Sequence, residues 1–120
     1  MYKDIKTVED AYKATEQTAP EITGENAELL TNINHLVVVS KAIREGWTPD
    51  YNNSDWKWYP WFDLETEENN PSGFRFSDSV FTDTRTSAAL GPLLCQESEK
   101  KADYFGKQFE DLFRKVMKPA

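Results

Sequence analysis

The chain has little cysteine, little histidine and no long apolar run. Its 120 residues include one cysteine, Cys95, and one histidine, His35. A single cysteine excludes an intramolecular disulfide framework and a zinc site built from several cysteines, and it favours a reducing compartment. The longest aliphatic run, residues 36–39, is far shorter than the ~20 residues of a membrane span. No apolar stretch follows residues 1–5, so no signal peptide is visible, and we expect a cytoplasmic protein without membrane contact.

Positive charge is also scarce. Lys and Arg together number 14 against 21 Asp and Glu, which gives a formal net charge of −7. A general binder of duplex DNA or of anionic membranes needs a basic surface, so both classes are disfavoured. The same negative charge attracts basic clefts in other proteins.

Recognisable catalytic and cofactor motifs are absent from the sequence. It contains no glycine-rich phosphate loop and no nucleophile elbow. His35 falls in the middle of a predicted helix, where we interpret it as a surface or boundary residue. Cys95 follows two leucines, and burial in such surroundings makes a thiol inert. We therefore expect no enzyme, no cofactor and no bound metal.

Hydrophobic periodicity predicts three helices. A short helix over 8–16 follows Thr7, whose hydroxyl suits an N-cap. A second helix over 26–45 carries apolar residues at steps of three and four and ends before Gly46. A long C-terminal helix begins after Ser98, and its apolar stripe covers residues 102–116.

Two or three strands are predicted between the second and last helices. Residues 56–64 form an aromatic strand in which Pro60 requires an edge position or a bulge. An acidic hairpin loop leads to a return strand at 74–78, which alternates apolar and polar side chains. Residues 79–88 are either an irregular loop or a weak third strand, and residues 93–95 are a candidate for a short strand.

These elements predict one α+β domain over residues 1–120. A small antiparallel sheet of two or three strands packs against an N-terminal helix pair and the long C-terminal helix. Residues 1–24 are interpreted as a peripheral N-terminal arm with a short helix.

The aromatic density of residues 47–62 is the unusual feature of the sequence. Seven aromatic residues, including all four tryptophans, stand in this segment. On a strand, Trp58 and Phe62 point to one face and Tyr59 and Trp61 to the other. The helices cover one face, so Tyr59 and Trp61 are candidates for exposure, where they could anchor a protein partner or stack on bases. The alternative is that the block fills the core, since Trp and Tyr bury large areas.

Acidic residues follow the aromatic block, namely Asp63, Glu65, Glu67 and Glu68. Converging carboxylates can hold a hard cation, but the calcium-loop pattern is absent and a solvated acidic loop explains the run. Together with Tyr59 and Trp61, they form the candidate partner-binding site.

Binding of single-stranded nucleic acid stays open as a different function. The aromatic block could stack on bases, with Lys57, Arg75 and a local basic face on the last helix close by. The residues of that face are Lys100, Lys101, Lys107, Arg114 and Lys115. The overall excess of acidic residues disfavours this interpretation.

Four blocks of the sequence resemble a family of small proteins of Bacteroidota phages and prophages. They read GWTPDYNNS at 46–54, YPWF at 59–62, GFRFSDS at 73–79 and YFGKQF at 104–109, and the likeness covers roughly residues 27–117. The resemblance implies a phage or mobile-element context and does not imply an activity.

In that context, a host protein that handles nucleic acid is the natural basic target of an acidic binder. We expect a non-enzymatic protein that binds a protein partner in the host-cell cytoplasm. The sharpest form of this hypothesis is an anti-CRISPR-like inhibitor of a host defence nuclease. The alternatives are a single-stranded nucleic-acid-binding accessory protein and a structural or accessory component of a phage.

Overall fold

Four α-helices and one β-hairpin form the protein in this computed structural model, which describes residues 1–52, 56–66, 68–82 and 91–119. In chain order they are α1 (Val8–Ala14), α2 (Ala27–Arg44), β1 (Lys57–Asp63), β2 (Arg75–Thr82), α3 (Glu99–Gln108) and α4 (Glu110–Met117). The strands pair in antiparallel order, and helices pack on one face of the hairpin. The predicted α+β class is confirmed.

Helix α1 starts where the sequence predicts. The Thr7 hydroxyl accepts a hydrogen bond from the Asp10 backbone N–H at 3.1 Å, and the Asp10 carboxylate accepts one from the Thr7 N–H at the same distance. This reciprocal capping satisfies two backbone donors at the helix start. The segment also contributes Ile5, Ala11 and Tyr12 to the hydrophobic core, so residues 1–14 pack against the rest of the fold.

Helix α2 lies within the predicted range of 26–45. Its C-terminal half is buried, with Val38 and Val39 in the core. Branched valines lower helix propensity, but their burial against the neighbouring elements outweighs that cost. The helix ends where Glu45 and Gly46 adopt φ values of 53° and 91°, and Gly46 takes such a conformation without strain.

Helix α3 packs against both strands at a very close approach. A Cβ atom placed on Gly106 would lie 2.4 Å from the Phe76 ring and 2.7 Å from the Pro60 Cβ. Only glycine fits there. Phenylalanine rings from the hairpin and from the C-terminal helical segment form much of the hydrophobic core. They are Phe62, Phe74, Phe105, Phe109 and Phe113.

The long C-terminal helix of the prediction is interrupted at Phe109, which has φ −111° and ψ 26° and separates α3 from α4. The apolar stripe nevertheless faces the core, as predicted, with Phe105, Phe109 and Phe113 all buried. Glu110 follows the interruption, and its carboxylate accepts a hydrogen bond from the Phe76 backbone N–H at 2.7 Å. The interrupted helix thus also holds the free edge of β2.

No strand forms at residues 93–95. A short 3-10 helix, Gly91–Leu94, occupies most of that position. The Arg44 guanidinium donates hydrogen bonds to the carbonyls of Pro92, Leu93 and Cys95 at 3.0, 3.1 and 2.8 Å. These bonds hold the segment in the 3-10 conformation instead of a strand. In the described residues the third strand is reduced to a single bridge, in which the backbones of Trp58 and Gln96 exchange two hydrogen bonds. Of the segment 79–88, residues 79–82 extend β2, and 83–88 lie outside the described residues.

Candidate partner-binding surface

Side-chain alternation along β1 separates an inner face from an outer face of the hairpin. Pro60 and Phe62 point inward, where Pro60 lies against Gly106 and Phe62 stacks on Phe74 with ring centroids 4.8 Å apart. Tyr59 and Trp61 therefore point outward, as the sequence predicts. We use the term outer face for the side of the hairpin that carries these two aromatic residues.

Exposure on the outer face of β1 rises from Lys57 to Trp61. Lys57 at the start of β1 is only 2% exposed, because the preceding loop covers it. Its ammonium group donates to the Asp50 carbonyl at 3.2 Å and lies 5.8 Å from the centre of the Tyr51 ring. Tyr59 is half-buried, whereas Trp61 is 58% exposed. Of the two candidate aromatic residues, Trp61 is the one that the structure leaves open.

A β-bulge brings a further residue to this face. Strand pairing sets Trp61 opposite Asp78 and Phe62 opposite Phe76, so Ser77 is an extra residue in β2. Strict alternation from Phe76 would point Asp78 inward, but the bulge turns its side chain outward, next to Trp61. The sequence analysis did not include Asp78 among the candidate binding residues, because no signal in the sequence marks the bulge.

The acidic residues of the candidate site lie at the same end of the hairpin. The Asp63 carboxylate forms an ion pair with Arg75 at 2.9 Å. Glu65 and Glu68 are exposed in the hairpin loop, and Glu67 lies outside the described residues. Buried Asn70 holds the loop in shape by donating to the Glu65 carbonyl at 2.9 Å.

A lysine from the end of the chain reaches the same loop. The Lys118 ammonium group donates to the carbonyls of Leu64 and Gly73 at 3.0 and 3.2 Å. These bonds fix the loop to the rest of the protein. They also place one cation at the hairpin loop that carries Glu65 and Glu68.

The tryptophans do not fill the core. Trp47 and Trp58 are half-buried, and Trp56 and Trp61 are exposed. The core-filling interpretation of the aromatic block therefore holds for Phe62 but for none of the four tryptophans.

A second group of rings lies on the inner side of the hairpin. Trp56 stacks on Phe81 with ring centroids 4.0 Å apart, and Trp58 packs against both rings. Trp56 is 56% exposed, almost the same fraction as Trp61. The two exposed tryptophans thus differ in their surroundings rather than in their accessibility.

The basic face predicted on the last helix is largely occupied by internal contacts. Lys101 is buried and pairs with Glu97 and Glu45. Arg114 and Lys115 both pair with Asp111. The Lys107 ammonium group lies 5.4 Å from the centre of the Phe76 ring. Lys100, Lys107 and Lys115 are exposed. The pairing of Lys101, Arg114 and Lys115 with carboxylates reduces the positive charge that this face offers to a nucleic-acid backbone.

His35 has a partner that the sequence did not reveal. The Tyr12 hydroxyl lies 2.9 Å from His35 Nδ1 and accepts a hydrogen bond from the Asn34 amide at 2.8 Å. A neutral ring with its proton on Nε2 can accept the hydroxyl proton at Nδ1. Burial lowers the pKa of His35, which favours this neutral form. The pair joins α1 to α2.

Cys95 is fully buried, and burial raises the pKa of its thiol. The Arg44 guanidinium lies 3.6 Å from its sulfur. The positive charge of Arg44 opposes the effect of burial on the thiol pKa, but burial is the larger of the two and favours the protonated thiol.

Within the described residues, no three His, Cys, Asp or Glu side chains converge as a metal site would require. No described helix has the length and the apolar character needed to cross a membrane. Comparisons with protein-family models, with curated proteins and with solved structures find no match to the chain.

Proposed function

We propose that the protein acts by binding another protein and that the outer face of the hairpin is its contact surface. The observation that carries this proposal is the exposure of Trp61 on a strand pair that also carries Asp63 and Asp78. Large aromatic residues on the surface are the usual anchors of protein interfaces, because their burial by a partner removes much apolar area from water.

The charge around Trp61 favours a basic partner. Asp78, Glu65 and Glu68 surround the exposed end of the hairpin, and the nearby Arg75 already pairs with Asp63. The net charge of −7 extends this negative field over the molecule. Such a field speeds the encounter with a basic surface and selects against acidic ones.

A host protein that handles nucleic acid is the partner class that we propose. Such proteins expose basic channels, and an acidic surface with an aromatic anchor can occupy them in place of nucleic acid. The resemblance to phage and prophage proteins supports a defence nuclease as the specific target. The expected consequence is inhibition of that nuclease in the host-cell cytoplasm.

A capture experiment with matched variants tests the proposal. Tagged wild-type protein, Trp61→Ala, Trp56→Ala and the double variant Glu65→Lys/Glu68→Lys are incubated with nuclease-treated host lysate, and bound proteins are quantified by mass spectrometry. We expect a basic nucleic-acid-handling protein to be captured by the wild type and by Trp56→Ala but lost from the other two variants. Trp56 is the control because it is almost equally exposed but stacks on Phe81, on the opposite side of the hairpin from Trp61.

Three outcomes would contradict the proposal or a part of it. Equal capture by wild type and Trp61→Ala would remove the outer face from the interaction. Tight binding of labelled poly-dT at low salt, lost in Trp61→Ala, would favour the nucleic-acid function instead. If a plaque assay shows that expression leaves host immunity unchanged, inhibition of a defence nuclease is wrong, whatever protein is captured.

A further inference from the structure

The two strand carboxylates of the outer face differ in their pairing. Asp63 lies opposite Arg75 and forms the ion pair described above. Asp78 accepts one hydrogen bond, at 2.7 Å from the neighbouring Ser79 N–H, through its Oδ1 atom. Among the residues that the structure describes, no Lys or Arg pairs with Asp78. Its second oxygen is therefore left facing solvent beside Trp61.

The Trp61 ring is likewise without a partner within the described ranges. No aromatic ring or cationic side chain of residues 1–52, 56–66, 68–82 or 91–119 stacks on it. Its neighbour across the strands is Asp78, at the register position next to the bulge. Both residues are exposed, so an indole and a carboxylate are cross-strand neighbours on the same face of the hairpin.

An arginine side chain matches both groups at once. Its guanidinium stacks on an aromatic face and donates hydrogen bonds to a carboxylate from its edge. This molecule already makes each of these contacts with its own arginines: Arg44 lies 5.7 Å from the centre of the Trp47 ring, and Arg75 pairs with Asp63. At Trp61 and Asp78 the two halves of such a site are neighbours, and no arginine of the described residues contacts them.

From this arrangement we infer that the outer face binds its partner through an arginine of that partner, seated between the Trp61 ring and the Asp78 carboxylate. The inference rests on the proposed function and specifies its chemistry. A lysine ammonium group could reach Asp78, but it is compact and strongly hydrated and has no planar face for the indole. A nucleobase could stack on Trp61, but the carboxylates around it would repel the accompanying phosphates.

Nuclear magnetic resonance with a single-residue probe tests the inference independently of any partner. N-acetyl-arginine methylamide is titrated in the millimolar range into labelled protein, and the indole N–H signals of the four tryptophans are assigned by Trp→Phe variants. We expect progressive shifts at the Trp61 indole and the Asp78 amide, with smaller shifts at Trp56. The citrulline analogue, which has the same shape and no charge, is the matched control probe.

Asp78→Asn keeps the shape of the side chain and removes its charge. We expect this variant to reduce the apparent affinity for the arginine probe about twofold to fivefold, as the loss of an exposed ion pair does. Equal shifts with the arginine and citrulline probes, equal shifts at Trp56 and Trp61, or an unchanged affinity in Asp78→Asn would each overturn the inference.

The capture experiment separates this inference from the proposed function. If Trp61→Ala loses the partner while Asp78→Asn retains it fully, the protein-binding function stands and the arginine contact is wrong. If capture does not depend on Trp61 at all, the proposed function is wrong, and the probe titration then reports only on the chemistry of the surface.

Discussion

The inner and outer faces of the hairpin come from one short aromatic run, yet they differ in what covers them. On the inner face, Phe62 is buried between Phe74 and Phe113, with ring centroids 4.8 and 4.7 Å away. On the outer face, Trp61, the residue just before Phe62, is 58% exposed. These two adjacent aromatic residues therefore differ in burial, because their side chains point to opposite faces of the hairpin.

Available space accounts for this division. The inner face approaches α3 so closely that Gly106 has no room for a Cβ atom. Phenylalanine rings fill this narrow layer without leaving a polar atom unpaired, whereas an indole is larger and needs a partner for its N–H group. Trp61, on the outer face, is open to water instead. Aromatic density in a sequence is thus poor evidence for burial when the domain is small.

The largest expected effect is on the inner face. Phe62→Ala removes a ring that contacts three others and should lower the free energy of unfolding by about 3–5 kcal/mol, measured by urea denaturation. Phe81→Ala is the matched control, because Phe81 belongs to the same hairpin but is 48% exposed. We expect Phe81→Ala to lower the free energy of unfolding by less than half as much as Phe62→Ala. Equal losses of stability would contradict the assignment of Phe62 to the core and of Phe81 to the exposed end of the same side.

Gly106→Ala tests the close approach of α3 to the sheet. Alanine favours a helix over glycine by about 1 kcal/mol, so an open site would be stabilised. Here the added Cβ would meet the Phe76 ring, and we expect a net loss of about 1–3 kcal/mol from overpacking. Lys100→Ala, at an exposed position of α3, should change stability little. A stabilised Gly106→Ala would contradict the tight inner layer.

Glu110 tests how the free edge of β2 is held. Glu110→Ala leaves the Phe76 N–H without its acceptor, and we expect a loss of about 1–2 kcal/mol together with faster amide exchange at Phe76. Glu110→Gln keeps an acceptor oxygen and should retain most of the protection. If both variants exchange as slowly as the wild type, the carboxylate does not hold this edge.

The smallest expected effect on folding is on the outer face. Trp61→Ala removes an exposed ring and its contacts across the strands, which should cost less than about 1 kcal/mol. Trp56→Ala, at nearly the same exposure, should behave alike. A loss as large as that of Phe62→Ala would show that Trp61 is part of the folding core and would remove the basis for a separate binding face.

Much of the fold follows from the sequence, because its signals are local. Thr7, Ser98 and the apolar stripe of the last helix are caps and periodicities that neighbouring residues determine. The strand pair likewise follows from alternation and from the loop between the strands. The exposure of Trp61 follows from the same alternation, once one face of the sheet is assigned to the helices.

The features that escaped prediction depend on contacts between distant residues. Arg44 binds carbonyls about fifty positions later in the sequence and replaces the expected third strand with a 3-10 helix. The bulge at Ser77 brings Asp78 to the outer face, although alternation alone places it inside. The pairing of Lys101 with Glu45 and Glu97 likewise removes a cation from a face that appears basic in sequence.

The most direct test of the account is the capture of a basic partner by folded Trp61→Ala, set against Trp56→Ala in the same lysate. Both variants should unfold at nearly the wild-type urea concentration, so a difference in capture reports on the surface alone. The account predicts that Trp56→Ala retains the partner and that Trp61→Ala loses it. Retention of the same partner at the wild-type level by Trp61→Ala would contradict the claim that the outer face is kept free of the core in order to bind a protein.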